Sequence, residues 1–177
     1  EFDVKDGCKV FITVASVQER KGQLVFLKML SMLDIDFRYW IVGKGPDEEV
    51  ILQYVEENGL QGKVRMLGYK AANELYKYYS AADIYAHSSW KEGQALSELN
   101  ATGMRTIVNK EIIGTIASDV NSEDYYVLDF DNVAVDSLVE WIQRDQKERS
   151  SRTTFDWSAI AKRYLNLYNQ IIKEYRR

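Results

Sequence analysis

The chain has 177 residues, 46% hydrophobic and 28% charged, which suits one ordinary globular domain able to bury roughly 70% of its unfolded surface. Twenty-seven acids against 23 bases leave a net charge of −4, which gives no support to non-specific nucleic-acid binding. One cysteine, Cys8, excludes an internal disulfide framework and fits a reducing compartment, and with a single histidine, His87, it cannot build the usual zinc site.

The opening "EFDVKDGCKVF" reads like the interior of a longer protein, with no signal peptide, and runs at once into a β-branched strand, "KVFITVASV". "GQLVFLKMLSML" follows at helix length, apolar nearly all round, as expected of a buried helix; it is too short and interrupted to span a bilayer. "FRYWIVG" is a second strand, closed by "GKGP". "PDEEVILQYVEENGL" has Pro46 and acids at its start and Gly59 at its end, the punctuation of a helix. "KVRMLG" is a third strand, and "NELYKYYSAA" a helix with Leu75, Tyr79 and Ala82 on one face. "DIYAHSS" is a fourth strand, followed by "SSWKEGQALSELNATG", whose second half starts a short helix. "RTIVN" and "DYYVLD" are a fifth and sixth strand. "AVDSLVEWIQRD" and a long segment from Trp157, with Ile160, Tyr164, Leu167, Tyr168, Ile171 and Tyr175 on one stripe, are closing helices joined by the polar "RDQKERSSRTT". Strands alternating with helices predict βαβ units: a Rossmann-like, three-layer αβα domain over 1–177 with a parallel sheet of about six strands. Ligands of such sheets bind at the carboxyl ends of the strands, where the strand order reverses.

The loops after the strands are therefore the places to search. After the first, Lys21 and Gly22 precede a helix whose free amides favour an anion; the bland alternative is a solvated Arg20–Lys21 pair in a surface turn. After the second, Gly43 and Gly45 permit tight turning and close backbone approach, without the dinucleotide fingerprint. After the third, Tyr69 offers a ring to stack on a base, although packing is the commoner fate of such a tyrosine. After the fourth, Gly93 permits close approach, the amides near Ala95, Leu96 and Ser97 point outward as the helix begins, and Glu92 and Glu98 flank the turn. Alone, Glu98 reads as a first-turn acid and Glu92 as a solvated loop charge. Carboxylates nevertheless suit sugar and ribose hydroxyls as amides suit phosphates, and together they describe a nucleotide-sugar site.

In this order the loops resemble the carboxyl-terminal half of GT-B glycosyltransferases, specifically the retaining glycosyltransferase family 4. "ASVQERKG" stands for the family's "G-R-L-x-x-x-K-G", "VGKGP" for "V-G-x-G-P", and "VRMLG" for "V-x-F-x-G". "ADIYAHSS" and "KEGQALSELNATG" stand for "a-D-(I/V)-x-x-x-P-S" and "E-G-F-G-x-x-x-x-E-A-M-A-x-G". The tail "FDWSAIAKRYLNLY" is similar to the family's last helix, so the resemblance covers nearly the whole chain. It implies that Glu98 holds the ribose hydroxyls, that Glu92 contacts the donor sugar, and that Lys21 meets the donor diphosphate. Glu92 and Lys21 are then the expected catalytic pair. Ser16, Arg20, Gly43, Gly45, Tyr69, Gly93, Gln94, Ala95 and Leu96 complete the expected donor site, with Glu111 and Ile112 as outlying members.

The resemblance further implies a UDP-, GDP- or ADP-sugar donor, no metal or other cofactor, and a role in polysaccharide biosynthesis. It implies an acceptor-binding amino-terminal domain of the same polypeptide, missing here, without which the fragment is expected to be inactive. The expected location is cytoplasmic, peripheral to the inner face of the cell membrane only if the missing half carries it there. The departures are specific. Five residues separate Glu92 from Glu98 where the family has seven, Ser16 replaces the phosphate-binding arginine, His87-Ser88 replaces "P-S", and "G-Q" replaces "G-F-G". The shortened spacing and Ser16 favour an alternative, a degenerate non-catalytic interaction module, while Lys21-Gly22, the "VGKGP" turn and Glu98 favour the glycosyltransferase half. A third reading, half of a nucleotide-sugar epimerase, needs a histidine and acids around the sugar, whereas His87 sits late in a strand.

Overall fold

The computed structural model describes residues 7–91, 104–115 and 124–144. Six strands form one sheet: β1 (Lys9–Val14), β2 (Phe37–Val42), β3 (Val64–Gly68), β4 (Ile84–His87), β5 (Arg105–Asn109) and β6 (Tyr125–Leu128). Their spatial order is β3-β2-β1-β4-β5-β6, and every pairing is parallel. The four described helices are α1 (Gln23–Met32), α2 (Glu48–Glu57), α3 (Ala72–Ala81) and α4 (Val135–Gln143). The expected helices after Glu92 and from Trp157 lie outside the described residues.

The two-residue period of a strand explains the layers. Phe11, Phe37, Tyr39 and Ile41 face one side of the sheet, where they pack with Phe26, Leu27 and Leu30 of α1, Ile51 and Val55 of α2, and Leu138, Trp141 and Ile142 of α4. Val10, Ile12, Trp40 and Val42 face the other side, where Leu75, Tyr78 and Tyr79 of α3 lie against them. Both faces are thus covered, which is why the strands read as nearly continuous apolar runs. The chain crosses from one face to the other between β3 and β4, so the strand order reverses between β1 and β4.

The helix punctuation follows the expectation for α2: Glu48 and Glu49 occupy its first turn and Gly59, with φ 64°, leaves it in the left-handed conformation. The first helix differs from the all-round apolar cylinder expected. It buries Phe26, Leu27, Met29 and Leu30 but leaves Met32 74% exposed, because it covers one face of a sheet rather than sitting inside a core. Among the described residues no helix is long and apolar enough to cross a membrane, and no group of three His, Cys, Asp or Glu side chains could hold a metal ion.

Candidate functional site at the strand-order reversal

The floor of the site is pinned by one threonine. The Thr13 hydroxyl of β1 donates to the Ala86 carbonyl of β4 at 2.8 Å and lies 2.8 Å from the Tyr39 hydroxyl of β2. A hydroxyl has one proton to give, so Tyr39 donates to Thr13. Burial holds the Tyr39 phenol above its ordinary range. Beside this floor His87 is buried and its ring stacks on that of Tyr85 at 6.1 Å.

Above the floor the β1 and β2 loops zip together. The Ala15 amide donates to the Val42 carbonyl, the Val17 amide to Lys44, and the Asp47 amide to Val17. Gly43 and Gly45 are required by this closeness: a Cβ on Gly43 would lie 1.9 Å from the Ala15 oxygen, and one on Gly45 would lie 2.0 Å from that of Val17. The Ser16 carbonyl accepts from the buried Gln23 side chain at 2.9 Å, while its hydroxyl accepts from Gln18 at 2.5 Å. Next door, the Gly43 amide donates to the Gly68 carbonyl, and Tyr69 follows at 73% exposure, its ring outside the core.

The β1 loop ends in a single 3-10 turn, Glu19–Lys21, broken from α1 by Gly22 at φ 69°. The first amides of α1 have no intrahelical partner, and Gly22 offers no side chain to cap them. Arg20 and Lys21 stand immediately before them, and cations beside uncapped helix-start amides draw an anion to this corner, with Glu19 of the same turn opposing. The β4 loop lies against the same turn. Ser88 Oγ donates to the Lys21 carbonyl at 2.8 Å, Ser89 Oγ to the Arg20 carbonyl at 3.0 Å, and the Trp90 amide to that same carbonyl at 3.0 Å. Arg20 Nη1 in turn donates to the Lys91 carbonyl at 3.4 Å.

Asn109, at the end of β5, reaches the Ser88 carbonyl at 3.4 Å and accepts from the Glu111 amide at 3.1 Å; Ile112 is buried. Farther along the same edge Lys110 pairs with Asp129 at 2.7 Å and with Asp131 at 3.5 Å. A hydrogen bond from Lys110 holds the Asp129 carboxyl below its usual range, and the same bond raises Lys110. A cavity of about 320 Å³ opens between the starts of α1 and α2, walled by Leu24, Val25, Val50 and Ile51 with Glu19 and Asp47. Gly22 and Gln23, at the start of α1, line it as well.

The structure thus brings Ser16, Arg20, Lys21, Gly43 and Gly45 together around the ends of β1 and β2, with Tyr69 one strand beyond. Glu92, Gly93, Gln94, Ala95, Leu96 and Glu98 lie outside the described residues. Sequence reasoning missed Ser88, Ser89 and Trp90 as partners of the basic turn; the one available signal was two hydroxyls directly after a buried strand.

Fold and site define a doubly wound, Rossmann-like αβα domain with a basic turn at its strand-order reversal. The chain belongs to the glycosyl transferases group 1 family, whose family model matches residues 1–152. It is 25% identical to the lipopolysaccharide core biosynthesis glycosyltransferase LpsD of Rhizobium meliloti over 181 residues, covering 95% of this chain and 52% of that one. Among solved structures, the Anabaena protein HepE, crystallised with UDP and glucose, superposes with a TM-score of 0.67 at 16% identity, over 96% of this chain and 48% of that one. The C-terminal domain of the group 1 glycosyl transferase LpcC of Francisella tularensis superposes with a TM-score of 0.63 at 22% identity, over 88% of this chain and 86% of that one. The chain spans about half the length of LpsD and of the D-inositol 3-phosphate glycosyltransferase of Corynebacterium glutamicum, to which it is 27% identical.

Proposed function

We propose that the chain is the donor-binding half of a glycosyltransferase that moves a sugar from a nucleoside-diphosphate sugar to a glycan, lipid or other acceptor, with retention at the anomeric carbon. The observation that carries this reading is the Arg20–Lys21–Gly22 turn at the β1–β4 reversal, in a chain of the group 1 family. Lys21 and the opening amides of α1 take the diphosphate. Glu98 takes the ribose hydroxyls and Glu92 the sugar, while Tyr69 and the Gly43–Gly45 turn border the nucleoside.

In the reaction, the bond from the anomeric carbon to the diphosphate oxygen breaks. A bond to the acceptor hydroxyl oxygen forms on the same face, and the hydroxyl proton passes to the departing diphosphate. Charge grows on the departing diphosphate, and positioned cations and amides stabilise it more as it grows. The acceptor comes from a second, amino-terminal half, so this half alone binds donor weakly and transfers nothing. Work on polysaccharides at the cytoplasmic face of a membrane, reached through that other half, is part of the same reading.

Calorimetric titration with UDP, GDP and ADP tests it. One of them binds, and Glu98→Ala weakens it. No heat with any of them, and no effect of Glu98→Ala, supports the second reading, a degenerate interaction module. The short Glu92–Glu98 spacing and Ser16 in place of an arginine favour that second reading.

A further inference from the structure

We propose that Ser88 and Ser89, seconded by Trp90, are positioning residues that hold the Arg20–Gly22 turn open for an anionic ligand, so that the β1 and β4 loops act as one unit. The proposal rests on the donor-binding reading for the identity of that ligand, a nucleoside diphosphate, but its geometry stands apart from it.

In an unbroken helix the carbonyls of Arg20 and Lys21 would accept from the amides four residues on, those of Leu24 and Val25. Here they accept instead from Ser89 and Ser88, and the Trp90 amide adds a second bond to Arg20. Both serines are 2% exposed, so these hydroxyls are not held by water. The diversion keeps the break at Gly22, whose left-handed φ fits nothing but a turn, and leaves the starting amides of α1 for an outside acceptor.

The fit is close. A Cβ on Gly22 would meet the Ser88 carbonyl oxygen and the Trp90 ring at 2.3 and 2.5 Å. Ser88 is itself held from behind by Asn109, and Trp90 from the side by Phe130. Without the serines the turn can relax toward a continuous helix, in which the Leu24 and Val25 amides bond back to Arg20 and Lys21 and the Lys21 cation no longer converges with them on one anion.

The test is a double-mutant cycle read by titration with UDP, GDP and ADP: wild type, Ser88→Ala/Ser89→Ala, Lys21→Ala, and the triple variant. The serine pair is expected to cost about tenfold in affinity for whichever diphosphate binds, about the worth of two modest hydrogen bonds. In the Lys21→Ala background part of that loss disappears, because the turn has no cation left to position and only the α1 amides remain. Equal loss in both backgrounds, which general loosening would give, overturns the proposal, as does no loss in the first.

Amide hydrogen exchange without nucleotide supplies the second readout. Exchange at Lys21 and Gly22 should quicken in the serine variants while β1 and β2 stay protected; unchanged exchange there overturns the clasp. If wild type binds no nucleotide, the donor reading fails and exchange alone decides the clasp. If the double variant does not fold, Ser88→Ala and Ser89→Ala are measured singly, with the same expectations at about threefold each.

Discussion

Trp90 stacks on Phe130, their ring centroids 5.8 Å apart and their planes 16° from parallel. One ring stands on the loop after β4 and the other on the loop after β6, with the exit of β5 between them. The stack therefore braces the loop that presses on Gly22 against the far side of the sheet. Lys110 reaches from the end of β5 to Asp129 and Asp131 on either side of Phe130, so a charged contact and an aromatic one secure the same short segment.

Gly22 and Gly59 allow a controlled comparison. Both hold left-handed φ values, 69° and 64°. A Cβ at Gly59 meets nothing within 4 Å, whereas one at Gly22 collides with backbone. Gly59→Ala should cost about 1 kcal/mol, the backbone term alone. Gly22→Ala should cost about 1 to 3 kcal/mol more, because the Ser88 carbonyl must move. Urea unfolding of the two variants checks the ordering, and equal costs would show that the β4 loop yields freely.

Thr13 and Tyr39 make an asymmetric pair. Tyr39→Phe removes one buried hydroxyl but leaves Thr13 bonded to the Ala86 carbonyl. Thr13→Val leaves the fully buried Tyr39 hydroxyl with its proton donated to nothing and the Ala86 carbonyl without that donor. An unmet buried polar group costs about 1 to 3 kcal/mol, against about 1 for an ordinary bond removed with both partners eased. Thr13→Val is therefore expected to be the more destabilising of the two in chemical denaturation, and the reverse order would mean that Tyr39 finds another acceptor.

Much of this architecture is legible in the residues. "KVFITV" and "FRYWIV" are apolar on both alternate faces, which only a sheet covered on two sides explains, and Pro46, Glu48 and Gly59 mark the ends of α2. The loops of the site are legible too, because they follow strands. What periodicity cannot show is which loop leans on which. Ser88 lies 67 positions from Lys21, and nothing in the spacing of either reveals that a hydroxyl of one takes the carbonyl of the other. Gly43 and Gly45 read as turn residues, but their demanding neighbours, Ala15 and Val17, belong to another strand's loop. The apolar run of α1 overstated its burial for a related reason: composition does not say that Met32, one turn after the exposed Lys28, lies on the solvent side of the helix.

The Lys110–Asp129 pair fixes the sign of a pH effect. Asp129 is held below its usual 3.8, so its stabilising contribution is present above that value and is lost as pH falls through the lowered one. Lys110 is raised above its usual 10.5, so its contribution is complete below that value and is lost as pH rises through the raised one. Both groups face solvent, which screens the pair and keeps the effect small. Comparing the wild type with Lys110→Met, the difference in melting temperature should shrink below about pH 4 and in high salt. A difference constant across pH 3 to 7 would show that the pair contributes only through packing.

Lys21 gives the most direct check on the ligand chemistry. If it meets the second phosphate, its removal should fall on diphosphates and spare monophosphates. A hydrogen bond to a charged group is worth about 1.5 to 3 kcal/mol, so Lys21→Ala should weaken nucleoside diphosphate binding by about ten- to a hundredfold. The corresponding monophosphate should change by about threefold or less, since only long-range charge is lost. Lys21→Arg should restore part of the loss, and the salt dependence of diphosphate binding should flatten in Lys21→Ala. Arg20→Ala makes the contrast. Its guanidinium is turned to the Lys91 carbonyl, so its loss should act through the β4 loop and weaken both nucleotides alike. Equal losses for diphosphate and monophosphate in Lys21→Ala would place the second phosphate elsewhere and remove the turn from the site.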